Sequence, residues 1–170
     1  MTRLLTLILA VAFAMHGVPA SAKSPELAEA WNGAEINWRD LKSGIRESSQ
    51  TSKPVIMVFH APWCSACKKY REVFKNPDIV GASRDFVMIL VDADADKVAN
   101  GAFAPDGTYV PRTIFLTSDG DIRTDLKGST DPEHPQTIDI NGPGELLSLM
   151  QKARPPASAP NTSDRADGSN

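Results

Sequence analysis

Two unbroken apolar runs restrict the fold of this chain more than any other feature. They are "VIMVF" (Val55 to Phe59), which follows Pro54, and "FVMILV" (Phe86 to Val91). A strand with one wet face alternates apolar and polar residues. A run without alternation reads as a strand covered on both faces. Between the two runs, "CSACKKYREVFK" (Cys64 to Lys75) has helical spacing that puts Cys67, Tyr70 and Phe74 on one side. Strand, helix, strand over so short a stretch is a βαβ unit, whose strands are expected parallel with a right-handed crossover.

The same reading extends both ways. Upstream, a short strand is expected near Ile36, then a helix over Asp40 to Gln50 with Leu41 and Ile45 inward. Downstream, Thr113 to Leu116 reads as a strand. Asp119-Gly120 is a hairpin signal, because that turn favours positive φ. A second strand over Ile122 to Leu126 is therefore expected antiparallel to the first. "GELLSLMQK" (Gly144 to Lys152) reads as a closing helix with Leu146, Leu149 and Met150 on one side. The expected order is β-α-β-α-β-β-α, an α/β chain with a central mixed β-sheet flanked by helices.

The ends read differently from the middle. Arg3 precedes an apolar stretch from Leu4 to Met15, and Ala20-Ser21-Ala22 follows with small residues where a signal peptidase cuts. A spanning helix needs roughly 20 apolar residues, and this stretch is shorter. Residues 1–22 are therefore expected to be a cleaved signal peptide, and residues 23–152 one domain. Residues 153–170, "ARPPASAPNTSDRADGSN", hold no large apolar side chain and are expected to be a disordered tail. Cleavage removes one of the 18 basic residues, Arg3, and none of the 21 acidic ones, which moves the formal net charge from −3 to −4. An acidic chain without a basic cluster argues against nucleic acid as a partner. With no second long apolar run, no membrane span is expected after cleavage, and the protein is placed in a periplasm or outside the cell.

Only two cysteines occur, Cys64 and Cys67, behind Trp63. As a staple they close a very short loop, worth about 2 kcal/mol in the chain-entropy view against about 4.7 kcal/mol for a 100-residue loop. As metal ligands they lack company. His60 and His134 are the only histidines of the expected mature chain, and no second Cys-x-x-Cys exists to complete a zinc site. No metal and no cofactor are expected. The redox reading fits the chemistry best. Cys64 falls where a buried strand gives way to a helix, and there free N–H groups and the positive end of the helix dipole favour a thiolate. Cys67 lies one turn on, placed to resolve a mixed disulfide on Cys64. Trp63 has two readings, an apolar contact for a partner chain or a half-buried packing residue. Lys68 and Lys69 read as a solvated face. "VDADADK" (Val91 to Lys97) alternates aspartates as a calcium loop does, but Lys97 and Phe103 stand where that loop needs Gly and Glu. It reads as a strand end and loop.

"WCSAC" after an apolar strand, in this order of elements, resembles the thioredoxin superfamily. "KPVIMVFHAPWCSACK" together with "FAPDGTYVPRTIFL" (Phe103 to Leu116) resembles more narrowly the small thioredoxin-like proteins of the endoplasmic reticulum, the anterior-gradient group and its dithiol-active relative. The likeness runs from about Trp31 to Lys152. A more distant similarity is to the periplasmic thioredoxin-like domains that pass electrons across bacterial inner membranes. The resemblance implies a thioredoxin fold with a cis-proline, Pro111, facing the cysteine pair. It implies that the Val110 backbone pairs with a substrate strand, and that Arg112 helps set local charge unless it is an ordinary surface arginine.

The departures bear on mechanism. Thioredoxin carries a buried carboxylate where this chain has Val58. His60 is therefore the candidate for handling protons. Ser65-Ala66 between the cysteines matches neither the dipeptide of strong reductants nor those of oxidants and isomerases, so the direction of electron flow stays open. The retention signal of the endoplasmic reticulum relatives is missing, which favours an exported, bacterial periplasmic form. The expected activity is thiol-disulfide exchange with exported proteins, as a reductase or isomerase, with a redox partner to regenerate the dithiol. The alternative is a client-binding module with little redox turnover.

Overall fold

The computed structural model describes residues 25–154. The expected signal peptide, and the expected tail beyond Arg154, lie outside the described residues. Four strands form one mixed sheet in the order β1-β3-β2-β4: β1 (Trp38–Arg39), β3 (Val87–Asp92), β2 (Val55–His60) and β4 (Arg112–Leu116). β2 pairs parallel to β3, from Val55 beside Val87 to His60 beside Asp92, and antiparallel to β4, with Phe59 beside Arg112. Every residue of β2 is buried, as the absence of alternation requires.

The sheet divides the core into two layers. Ile56 and Val58 face a large cluster with Trp31, Trp38, Tyr70, Phe74, Leu146 and Met150. Val55, Met57 and Phe59 face the other side, with Ile89, Ile114 and the partly buried Leu41 and Ile45. The helices α2 (Leu41–Thr51), α3 (Ser65–Val73) and α6 (Gly144–Ala153) lie where the periodicity places them. Asp40 caps α2 by accepting the Ser43 N–H at 2.9 Å. Ala153 is the last residue of α6 and is buried, and Arg154 pairs with Asp85 at 2.8 Å. The packed chain thus runs slightly past Lys152, the expected end of the domain.

Several elements differ from expectation. The short strand near Ile36 forms two residues later, at Trp38–Arg39. Three helices of six or seven residues were not expected: α1 (Pro25–Ala30), α4 (Pro77–Ser83) and α5 (Lys97–Ala102). Each is too short to show a helical period. α4 does carry a start signal, since the Asn76 side chain accepts the N–H groups of Asp78 and Ile79 and Pro77 follows it. The second hairpin strand, Ile122 to Leu126, does not form. The turn closes with Gly120 at φ +93°, but a single bridge, Leu116 to Ile122, follows it. Arg123 then turns to Asp125, Leu126 drops into the core, and the Thr113 N–H on the β4 edge donates to the Gln136 carbonyl at 2.8 Å. The segment around Gln136 covers the edge that a fifth strand would need.

The aspartates of "VDADADK" are used locally. Asp92 accepts the N–H groups of Asp94 and Ala95, and Asp96 caps α5 through the Ala99 N–H. Among the described residues no helix is long and apolar enough to cross a membrane.

Candidate active site

The end of β2 builds the site. After His60 the chain turns through Ala61, Pro62 and Trp63, and the Cys64 N–H donates to the Ala61 carbonyl at 3.1 Å. Cys64 is the N-cap of α3, with extended φ and ψ of −73° and 109°. Its Sγ takes the place of a capping oxygen and accepts the Cys67 N–H at 3.0 Å. Sulfur thus sits at the positive end of a nine-residue helix, where negative charge is favoured. Cys64 and Cys67 are joined in a disulfide with Cα atoms 5.2 Å apart. Their residues are 4% and 3% exposed, so only a narrow approach to the sulfurs exists.

The start of β4 faces this pair. The Val110–Pro111 peptide bond is cis, and the Val110 carbonyl oxygen lies 3.7 Å from Cys64 Sγ. Val110 is half-buried and touches both core layers. Trp63, 70% exposed, is the large apolar side chain beside the cysteines, which removes the half-buried packing reading. Its indole Nε1 donates to Asp94 Oδ2 at 2.7 Å, which fixes the ring at the surface. Bonds from Lys97 and then Trp63 hold the Asp94 carboxyl below the usual range. Lys68 and Lys69 are exposed.

Beneath the pair, Val58 is fully buried and offers no proton acceptor. Tyr70 shares a hydrogen bond with Thr113 at 2.8 Å, and burial pushes its pKa well above the ordinary phenol value. His60 is 4% exposed, and its Nε2 is buried with no hydrogen-bond partner among the described residues. Its ring lies 5.6 Å from that of Trp31, tilted by 54°. Burial draws the imidazole below its ordinary pKa, against opposing pulls from the Asp92 charge and the Ala61 backbone. His60 and Cys67 both line a cavity of about 470 Å³, together with Trp31, Lys68, Arg71 and Asp92. The arrangement therefore brings Trp63, Cys64, Cys67, Val110 and Pro111 around one sulfur pair. His60 stands on the Cys67 side.

One residue differs from the sequence reading. Arg112 is not on the surface: it is 0% exposed, with its guanidinium 4.1 Å above the Phe59 ring. The available signal was its place at the head of a strand whose other residues are nearly all apolar. His134 pairs with Asp131 at 2.9 Å and packs edge-on against Tyr109, with ring centroids 4.5 Å apart.

Comparison with known proteins agrees with this geometry. Residues 37–118 match the family model described as thioredoxin-like. The chain is similar to anterior gradient protein 1 of Xenopus tropicalis, 29% identical over 140 residues that cover 81% of this chain and 73% of that one. Among solved structures it is similar to a thioredoxin from Thermus thermophilus, with a TM-score of 0.52 and 17% identity over 69% of this chain and 86% of that one. It is also similar to the C-terminal domain of DsbD from Neisseria meningitidis in the reduced form, with a TM-score of 0.51 and 19% identity over 69% of this chain and 99% of that one. The likeness to the two solved structures is one of fold.

Proposed function

For this chain of the thioredoxin superfamily, with the thioredoxin fold and a close Cys64–Cys67 pair, we propose thiol-disulfide exchange with exported proteins. The observation that carries the reading is the capping sulfur. Cys64 Sγ accepts an N–H at the helix start, with a second sulfur already in bonding distance. In the reduced enzyme the Cys64 thiolate attacks a substrate disulfide. One Cys64–substrate S–S bond forms, and one substrate thiolate leaves. Cys67 loses its proton and attacks Cys64 Sγ, which forms the Cys64–Cys67 disulfide and releases the second substrate thiolate. Two electrons pass from the dithiol to the substrate, and a separate redox partner must return them. Run backwards, the same steps make a disulfide, and release at the mixed-disulfide stage allows isomerisation.

The remaining residues take roles around this exchange. Trp63 offers an exposed apolar contact to the incoming chain. The Val110 backbone pairs with an extended substrate segment, and Pro111 shapes the groove beside Cys64. His60, neutral because of its burial and sharing a cavity with Cys67, takes the proton that Cys67 must lose. The domain works in a periplasm or outside the cell, where such chemistry is at home.

Equilibration of the Cys64–Cys67 pair with glutathione buffers tests the reading. A potential near about −270 mV places the protein among reductants, and one nearer about −120 to −180 mV among donors or shufflers of disulfides. Cys67→Ser is expected to accumulate the mixed disulfide, and Cys64→Ser to abolish exchange. If no reversible couple appears, the proposal falls and the client-binding reading takes its place.

A further inference from the structure

Arg112 is the largest charged side chain in the core, and every hydrogen bond it makes goes to a neutral group. Its Nε donates to the Phe103 carbonyl at 3.2 Å, and one terminal nitrogen to the Tyr109 carbonyl at 2.8 Å. The other terminal nitrogen reaches the carbonyl and the side-chain oxygen of Asn100, at 2.8 and 2.7 Å. The Phe59 ring closes one face of the guanidinium. Burial lowers its pKa to about 10, against the pull of Tyr109 and Asp106, so it stays charged at neutral pH.

These partners share one property. They lie at the end of α5 and along the stretch that leads into Val110. Between Ala102 and Arg112 the chain has no helix or strand. Among the described residues no backbone N–H reaches the Phe103 or Tyr109 carbonyl. Without Arg112 these carbonyls would be acceptors with no donor. Tyr109 is tied further by donating from its hydroxyl to Asp106 and accepting the Gln136 N–H. The next residue, Val110, lies against Cys64 Sγ. The Val110 backbone is therefore held beside the sulfur from two sides, by the Arg112 guanidinium before it and by the Thr137 hydroxyl, which donates to the Pro111 carbonyl at 2.9 Å, after it.

We infer that Arg112 is a positioning residue for protein substrates: its guanidinium holds the Asn100–Tyr109 stretch so that the Val110 backbone can align an extended chain on Cys64. The inference rests on the disulfide-exchange reading. It depends on the fork geometry of the guanidinium rather than on charge alone. A lysine ammonium cannot reach three carbonyls spread in this way.

The test compares two disulfides as partners of the reduced, full-length chain. One is an extended peptide joined to glutathione through a central cysteine. The other is 2-hydroxyethyl disulfide, too small to pair with Val110. Arg112→Lys is expected to slow exchange with the peptide about tenfold, the effect of losing one or two strand hydrogen bonds. Exchange with the small disulfide should stay within about twofold. Asn100→Asp keeps an acceptor oxygen against the guanidinium while neutralising its charge, so both rates should be retained. Asn100→Ala removes that oxygen without touching Arg112 and should lower the peptide rate about two- to threefold. It keeps the question answerable if the Arg112 variant does not fold.

A peptide-to-small-disulfide ratio unchanged in both Arg112→Lys and Asn100→Ala overturns the inference. So does an Asn100→Asp variant that loses peptide exchange, because charge would then be the agent. A wild-type chain that reacts with neither disulfide overturns the disulfide-exchange reading itself.

Discussion

At the end of β2, an imidazole that would titrate near neutrality in water is buried, and its Nε2 has no bond among the described residues. The pKa of His60 is lower in the folded chain than its ordinary value. Above about pH 7 both folded and unfolded chains carry it neutral, and it adds no pH dependence. As pH falls through about 6.5, the unfolded chain takes up the proton first, so folding stability drops until the folded imidazole also protonates. His60→Leu is expected to flatten this loss between pH 7 and 5, read as the urea midpoint at each pH. A variant that loses stability as steeply as the wild type would contradict it. The catalytic role has a separate measure. His60→Ala should change the pH profile of Cys64 alkylation, and an unaltered profile ends the assignment. The presence of His60 near the motif was legible in the sequence. Its missing partner was not, because Trp31 and Asp92, which surround it, are about 30 residues away in either direction.

The elements that frame the site were legible where their signals are local. β2, α3 and β3 follow from two apolar runs and one helical period, and α2 and α6 from their periods. The hairpin shows the opposite case. Asp119-Gly120 does turn the chain, but a turn signal does not secure a strand after it. The β4 edge goes instead to the segment around Gln136, and Gly128 crosses that segment at close range. A Cβ at Gly128 would stand 2.4 Å from the Thr137 carbonyl oxygen, a backbone atom that cannot rotate away. The Glu145 carboxylate fastens the same crossing by accepting from the N–H of Ser129 and the N–H of Asp139, each at 2.6 Å. Gly128→Ala should therefore lower stability by about 1–3 kcal/mol, the usual cost of overpacking, seen as a reduced Tm. An unchanged Tm would mean that the covering segment moves freely and does not guard the edge.

Over the whole molecule, both core layers close within the described residues, from Ala28 on α1 to Ala153 at the end of α6. A chain trimmed to residues 25–154 is therefore expected to unfold cooperatively within about 2 °C of the chain that starts at residue 23, since both core layers are retained. A markedly lower transition by calorimetry would show that the omitted residues pack on the domain. The sequence by itself determined the βαβ core and the placing of Cys64 at a helix start, because apolar period and capping position are both carried by short stretches of chain. The tertiary structure alone decided that Arg112 is buried under the loop it holds and that, among the described residues, His60 Nε2 has no partner and the sheet ends at β4. Each of these depends on groups brought together by the packing of distant segments, and no local pattern records which buried donors and acceptors will meet.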